Sequence, residues 1–231
     1  MKDLFGKALL DYQNGKYTED IITSTNISDE DDLPLPYLFR EFKDMPKLEQ
    51  NALKLAKGSI LDVGCGAGVH SLYLQEKGFQ IKAIDISKGA IEVAKDRGVL
   101  NAEVKDVLNE TETYNTVLLL MNGTGIFQEL SQVSKYLTHL KTLLKPNGQI
   151  LIDSSDIKYM YEDEDGGIWM DAHSNYYGEL DYFLSYKGEK EVPMKWLYLD
   201  FDTLKLACET AGLNCELILE GEHFDYLAKL Y

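Results

Sequence analysis

From residue 59 onward the chain alternates short aliphatic runs with stretches of helical period. The runs at residues 60–63, 81–84, 117–121 and 149–153 are strand-sized, and a weaker one lies at 102–105. Their apolar residues are nearly continuous, which is the pattern of strands covered on both faces. Between them lie amphipathic segments, clearest at Leu130, Val133, Leu137, Leu140 and Leu144, spaced by three and four as one helix face requires. Strands separated by helices predict a doubly wound, parallel α/β sheet. Lys145-Pro146-Asn147-Gly148 predicts a turn into the fifth strand.

The flanks follow a different rhythm. Residues 1–57 read as helices and loops, with Asp44 as a cap, Pro46 in the first turn, and Leu48, Ala52, Leu55 and Ala56 on one face. Residues 29–36, four acids followed by two prolines in quick succession, read as an exposed loop. After Asp153 comes an insertion with an acidic loop and a Gly166-Gly167 break. Its two strand-like runs, 179–186 and 192–199, flank Lys187-Gly188 as a hairpin would. A helix with Leu204, Ala207, Cys208 and Ala211 on one face then stops at Gly212, and runs 215–219 and 226–230 read as an antiparallel edge pair.

The expected fold is therefore α/β: a doubly wound, mostly parallel seven-stranded sheet with an antiparallel C-terminal edge pair. N-terminal helices and a hairpin insertion after strand five complete it. One domain is expected over 1–231, with a helical cap (1–57), a ligand-binding core (58–153), a lid-like insertion (154–199) and a closing helix and strand pair (200–231).

Composition narrows the function classes. The net charge of −16 opposes binding to nucleic acid or an anionic membrane, both of which rest on basic patches. Cys65, Cys208 and Cys215 are an odd set without paired spacing, which argues against a disulfide framework and against a cysteine zinc site. No aliphatic run is long enough for a signal peptide or a membrane span, so a cytoplasmic location is expected.

The strongest local signal is Asp62-Val63-Gly64-Cys65-Gly66-Ala67-Gly68-Val69-His70, where a strand ends in three alternating glycines and opens into a helix. Glycines permit positive φ and close approach of the backbone to a ligand, and the helix start offers free N–H groups to an anion. A dinucleotide fingerprint needs G-x-G-x-x-G, whereas Gly64, Gly66 and Gly68 give G-x-G-x-G with Val69 in the position of the third glycine. The spacing disfavours a nicotinamide-dependent oxidoreductase without removing it.

Here the chain resembles the class I S-adenosylmethionine-dependent methyltransferases, whose first motif is an acidic residue followed by x-G-x-G-x-G. The resemblance continues through Asp85 and Ile86 at the end of the second strand, Asp106-Val107 after the third, and Asn122 after the fourth. It implies S-adenosylmethionine as cofactor. It also implies that Gly64, Gly66 and Gly68 wrap its methionine part, that Asp85 accepts bonds from the ribose hydroxyls, and that Asp106 meets the adenine amino group. Asp62 organises the loop or reaches the cofactor's amino group. Asn122 lacks the following Pro-Pro of amino-group methyltransferases of nucleic acids, so a small-molecule acceptor is expected.

Methyl transfer from a sulfonium needs alignment above all, and a base only for a protonated acceptor. No catalytic residue is assigned; His70, His173, Tyr177 and its neighbour Tyr176 are the candidates. His139 and His223 read as structural or exposed. No metal is expected. Residues 161–166 fail as a calcium loop because Tyr161 and Ala172 stand where ligating acids belong, and Asn122, Asp153 and Asp156 are explained by turn chemistry. A non-catalytic cofactor-binding module is the remaining alternative.

Overall fold

The computed structural model describes residues 2–162 and 176–231. In chain order, α1 (Leu4–Gln13) is followed by β1 (Ile21–Thr25), β2 (Ser28–Leu33) and α2 (Lys47–Leu55). The alternating core is β3 (Ser59–Val63), α3 (Val69–Glu76), β4 (Gln80–Asp85), α4 (Lys88–Asp96), β5 (Ala102–Val104), β6 (Tyr114–Leu119), α5 (Leu130–Thr142) and β7 (Leu144–Ser155). The insertion supplies β8 (Glu179–Tyr186), β9 (Glu189–Lys190) and β10 (Met194–Leu197). The chain closes with α6 (Phe201–Thr210), β11 (Cys215–Glu220) and β12 (Asp225–Leu230).

The main sheet has seven strands in the order β11-β12-β7-β6-β3-β4-β5, parallel except for β12 and β11. One face packs against α5 and α6 through Leu61, Val117, Ile150, Leu137, Leu140 and Leu204. The other packs against α2 and α3 through Ile60, Leu118, Leu151, Ala52, Leu53 and Leu74. The order reverses between β3 and β6. Their carboxyl ends diverge into the crevice where ligands of such sheets bind.

Residues 2–57 hold two strands where only helices and loops were expected. Residues 29–32 are not loop; they lie in β2, which pairs antiparallel with β1 from Ile21↔Leu33 to Thr25↔Ser28. Acids are poor strand formers, and this strand is an edge with its charges in water, so no alternation marks it. Asp44 does not cap α2. It ends a separate 3₁₀ turn, Phe42–Asp44, and Pro46 is itself the N-cap. The turn expected at Lys145–Gly148 is a bulge inside β7, where pairing to β6 jumps from Tyr114↔Leu144 to Thr116↔Gln149.

The hairpin forms as expected, with β8 paired to β10 from Glu179↔Leu197 to Tyr182↔Met194. It does not stand alone. β8 also pairs with β1, so the insertion and the N-terminal strands make a second sheet, β10-β8-β1-β2 with β9 on β8.

α1 joins the two sheets. Glu191 accepts from the N–H groups of Lys2 and Leu4 at 2.8 and 3.0 Å, fixing the helix start beside β9. Asp3 accepts from Gly6 N within α1 and from Gly89 N in α4 at 3.2 and 3.0 Å. α1 and α4 cross so closely that a Cβ on Gly89 would lie 2.6 Å from the Gly6 backbone. Among the described residues, no helix is long and apolar enough to cross a membrane.

The second sheet also rests on the turn after β6. A Cβ on Gly125 would lie 2.2 Å from the Trp196 indole. Gly125→Ala is therefore expected to push β10 off this turn and destabilise the fold by about 1–3 kcal/mol, the usual cost of overpacking. Urea denaturation checks this; an unchanged midpoint would show that Trp196 does not bear on the turn.

Candidate functional site

The glycine loop leaves β3 between two anchors. Gly64 N and Cys65 N both donate to Ile84 O of β4, at 2.9 and 3.1 Å. Gly66 N donates to Asp85 Oδ2 at 2.9 Å, and Ser87 N to Asp85 Oδ1 at 2.8 Å. Gly64, Gly66 and Gly68 have φ of 71, 53 and 80°, a region that a side chain would strain. Gly64 is exposed and Gly66 half-buried, so the outer rim of the loop is open. α3 then starts with no side-chain cap at Gly68, which leaves the N–H groups of Val69 and His70 available, Ser71 N being drawn to Asp62.

Asp62 is fully buried under this loop and accepts from Ser71 Oγ at 2.6 Å. Burial pushes its carboxyl above the usual range, against the opposing influence of His70 and Ser71. Asp85 is likewise raised by burial, opposed by the Ser87 and Gly66 amides. A carboxylate offers about four lone-pair positions, so the two amides leave two for a ligand. Ile86, next in the chain, is left 57% exposed, an apolar surface beside a carboxylate.

Across the crevice, the turn after β6 is held by Asp153 of β7. Its Oδ2 accepts from Met121 N at 3.0 Å and its Oδ1 from Gly123 N at 2.9 Å. Asn122 has φ 59° and forms a knot: Oδ1 accepts from Thr124 and Ser154 hydroxyls, and Nδ2 donates to Leu197 O of β10 at 3.3 Å. Ile126 of the same turn stands 3.3 Å from the Cβ position of Gly64, closing the crevice floor.

A buried ion cluster lies beside the loop. Glu49 of α2 meets Arg40 on one side and His70 Nε2, at 2.6 Å, on the other. Arg40 also donates from Nη1 to Tyr37 O at 2.7 Å and stacks 4.0 Å over the Tyr37 ring. Its Nε–H is buried without a partner among the described residues. Arg97 donates to Ala67 O at 2.7 Å and stacks on Phe39, tying the Arg40 segment to the loop.

Comparison with known proteins now bears on these features. Residues 37–218 match the family described as a methyltransferase domain. Over its whole length the chain is 43% identical to an S-adenosylmethionine-dependent methyltransferase from Bacteroides fragilis, solved in complex with S-adenosyl-L-homocysteine. That superposition covers 100% of this chain and 94% of the other, with a TM-score of 0.93. The chain belongs to the S-adenosylmethionine-dependent methyltransferases. A second methyltransferase of this class, from Clostridium acetobutylicum ATCC 824, is 14% identical with a TM-score of 0.59 over 81% of this chain and 92% of the other, a likeness of fold alone. A ubiquinone biosynthesis O-methyltransferase of Rickettsia conorii is 29% identical over 115 residues, 47% of this chain and 38% of that protein. The chain spans less than half the length of the curated relatives it matches first.

Family membership makes S-adenosylmethionine the cofactor and removes the nicotinamide alternative. The residues present fit it: an open glycine loop, an uncapped helix start, a carboxylate with free lone pairs, and a buried guanidinium N–H without a partner.

Of the residues singled out from sequence, Asp62, Gly64, Gly66, Gly68 and Asp85 converge directly, with Ile86 at the rim and Asn122 on the facing turn. Asp106 is exposed and caps the 3₁₀ turn Val107–Asn109 through Leu108 N at 2.8 Å. Val107 is buried, and its carbonyl accepts from His139 Nε2 at 2.8 Å, so His139 has a defined structural contact. His70 is buried against Glu49. Tyr177 and Tyr176 lie in a different cluster, where their phenols donate to Asp200 at 3.3 and 2.6 Å and Tyr177 also donates to Asp156 at 2.8 Å. Burial beside these carboxylates pushes both phenols well above 10. His173 lies outside the described residues. Among those described, no group of three or more His, Cys, Asp or Glu is arranged to hold a metal.

Sequence reasoning missed Arg40, Glu49 and Phe5, whose ring edge is 3.9 Å from the Cβ position of Gly66, and gave Asp153 to turn chemistry alone. Asp153 also makes the facing turn pH-sensitive. Burial pushes its carboxyl up to about 6, against the Gly123 and Met121 amides that favour the charged form. A raised carboxyl lowers stability as pH climbs from the unfolded value towards about 6, and above that the ionised form grips the turn most strongly. The amide shifts of Met121 and Gly123 are expected to titrate together near pH 6, and not at all in Asp153→Asn. A midpoint near 4 would show an ordinary solvated carboxylate instead.

Proposed function

We propose that this chain is a cytoplasmic methyltransferase that moves a methyl group from S-adenosylmethionine to a small-molecule acceptor at the carboxyl edge of the main sheet. The observation that best supports the placement is Asp85, whose carboxylate shapes the glycine loop through two accepted amides and has accepting capacity left for a ligand. In this reading Asp85 takes the ribose hydroxyls and Ile86 lies along the adenosine. Asp106 and Val107 border the adenine. Gly64, Gly66 and Gly68, with the first amides of α3 and the free Nε–H of Arg40, hold the methionine carboxylate. Asp62 fixes the loop from below, and Asn122 borders the methyl end.

The cofactor supplies an activated methyl group on a sulfonium, so the protein's contribution is orientation and exclusion of water. The rigid elements serve the first purpose: a loop clamped at Gly64, Cys65 and Gly66, facing a turn clamped at Met121 and Gly123. For the second, we assign residues 2–57, 154–162 and 176–199 as a composite cover over the core at 58–153, with 200–231 closing the sheet. The cover includes α1, whose Phe5 reaches the loop, and β10, which rests on the turn after β6. A cover of this kind suits a small acceptor better than a nucleic acid, as does the charge of −16. The three cysteines are free thiols, consistent with a reducing compartment.

Asp85→Ala should weaken S-adenosylmethionine binding about 10- to 150-fold, the worth of charge-assisted hydrogen bonds. Calorimetry on the folded variant checks this, and unchanged affinity would remove Asp85 from the site. In a parallel assay with methyl-labelled cofactor and cell extract, label should pass into the small-molecule fraction. Label confined to polymer would overturn the acceptor class. Tight cofactor binding with no transfer at all would favour a non-catalytic role.

A further inference from the structure

Between the two sheets lies a cavity of about 380 Å³. Its floor is the carboxyl edge of the main sheet, where Ser155, the last residue of β7, pairs with Asp225, the first of β12. Its roof is the tight β1–β2 turn, where the hydroxyls of Thr25 and Ser28 lie 2.9 Å apart, together with Leu180 of β8. Tyr159 and Tyr198 stand at its sides. The volume is that of a small-molecule site, and it lies at the edge of the sheet where such ligands bind.

The cavity and the crevice share strand β7. Ser155 and Asp153 are two residues apart on one strand, so they share a face. Asp153 is the residue that clamps the turn after β6. Tyr198 is half-buried, and its phenol is pushed up to about 12, first by burial, then by Tyr182, Tyr159 and the Asp153 carboxylate. Tyr198 lines the cavity and directly follows Leu197, whose carbonyl accepts from Asn122 of the turn after β6.

Among the described residues, no lysine or arginine lines the cavity. Its lining includes five hydroxyl-bearing residues, Thr25, Ser28, Ser155, Tyr159 and Tyr198, with the Asp225 carboxylate and the His223 imidazole. Asp225 Oδ1 already accepts from His223 N at 3.1 Å, which leaves its second oxygen without that demand. Ile157, Met160 and Leu180 supply apolar wall. A carboxylate or phosphate placed here would lose its hydration, find no lysine or arginine among the described residues, only the His223 imidazole beside Asp225, and meet the Asp225 carboxylate itself. A hydroxyl-bearing molecule, uncharged or with a protonated amine, finds donors, acceptors and a counter-charge.

We propose that this cavity receives the methyl acceptor, and that the acceptor is a hydroxylated small molecule that is neutral or carries an amine, not an anion. This rests on the methyltransferase reading above. In the transfer, a bond forms between the methyl carbon and a lone pair on the acceptor's nitrogen or oxygen. The carbon–sulfur bond breaks with its electron pair left on sulfur, giving S-adenosylhomocysteine. The acceptor's displaced proton leaves to solvent.

The test uses the full chain, methyl-labelled S-adenosylmethionine and the ultrafiltrate of a bacterial lysate, with unreacted cofactor removed by its known retention. Labelled product should emerge in the neutral and cationic fractions of ion exchange at pH 7. Label mainly in the anionic fraction overturns the acceptor class, and so does a cofactor-binding wild type that labels nothing in the ultrafiltrate. Ser28→Trp, which fills the cavity from its roof, should bind S-adenosylhomocysteine as the wild type does while losing at least tenfold in transfer. Met160→Trp fills the same space from the other side and serves if the first variant does not fold. Undiminished transfer in a folded, filled variant overturns the placement. Loss of S-adenosylhomocysteine binding by the wild type would instead strike at the methyltransferase reading itself.

Discussion

A carboxylate that accepts two main-chain N–H groups from different places is the device on which this molecule depends. Asp85 does it between the glycine loop and the approach to α4, Asp153 at both ends of Met121–Gly123, and Asp3 between α1 and α4. Glu191 does it for the start of α1, and Glu110 for Thr111 and Glu112 at 2.9 Å each. Bonds to a charged acceptor are worth about 1.5–3 kcal/mol, and each pair fixes two backbone points at once. Turns that would otherwise move are thereby held at ligand-binding precision. The acidic composition, which at first reads as a solubility feature, is thus partly structural.

The one-sided cation inventory is the complement of this arrangement. The chain has only two arginines: Arg97 reaches the glycine loop at Ala67 O, and Arg40 meets Glu49, which also bonds His70 at the start of α3. A guanidinium offers five donors in a fixed fork, which suits it to bridging backbone and carboxylate at once. Arg97 spends its donors on Ala67 O and Phe39 O, whereas Arg40 retains one. Lysines are left to the periphery and to the Lys82 cluster with Glu103, Glu110 and Glu112.

How much of this could be read from the residues follows from the range of each interaction. The parallel core was legible because strands buried on both faces, such as Ser59–Val63, are written as continuous apolar runs. The glycine loop was legible because positive φ at three alternating positions demands glycine. β2 was not, since Ser-Asp-Glu-Asp-Asp-Leu becomes a strand only through its pairing with Ile21–Thr25. The Arg40–Glu49–His70 cluster was hidden for the same reason: its members are 9 and 21 residues apart on separate elements. The rarity of arginine was the one available signal. Asp153 was noticed only as turn chemistry, which proved to be its visible role, while the burial that raises its pKa has no local sequence mark.

The interleaving of the second sheet has a consequence for how the polypeptide matures. Thr25 pairs with Tyr182, and Leu4 N is 187 residues from its acceptor on Glu191. Contacts of such sequence separation form slowly and late, after local βα units have already collapsed. During synthesis the strands through β7 can therefore assemble while β1 and the apolar face of α1 still wait for partners not yet made. A nascent chain at that stage would hold a nearly finished cofactor cradle with Ile21, Leu4 and Leu9 uncovered, and would be at its most aggregation-prone. The second sheet is completed last, when β8 pairs with β1.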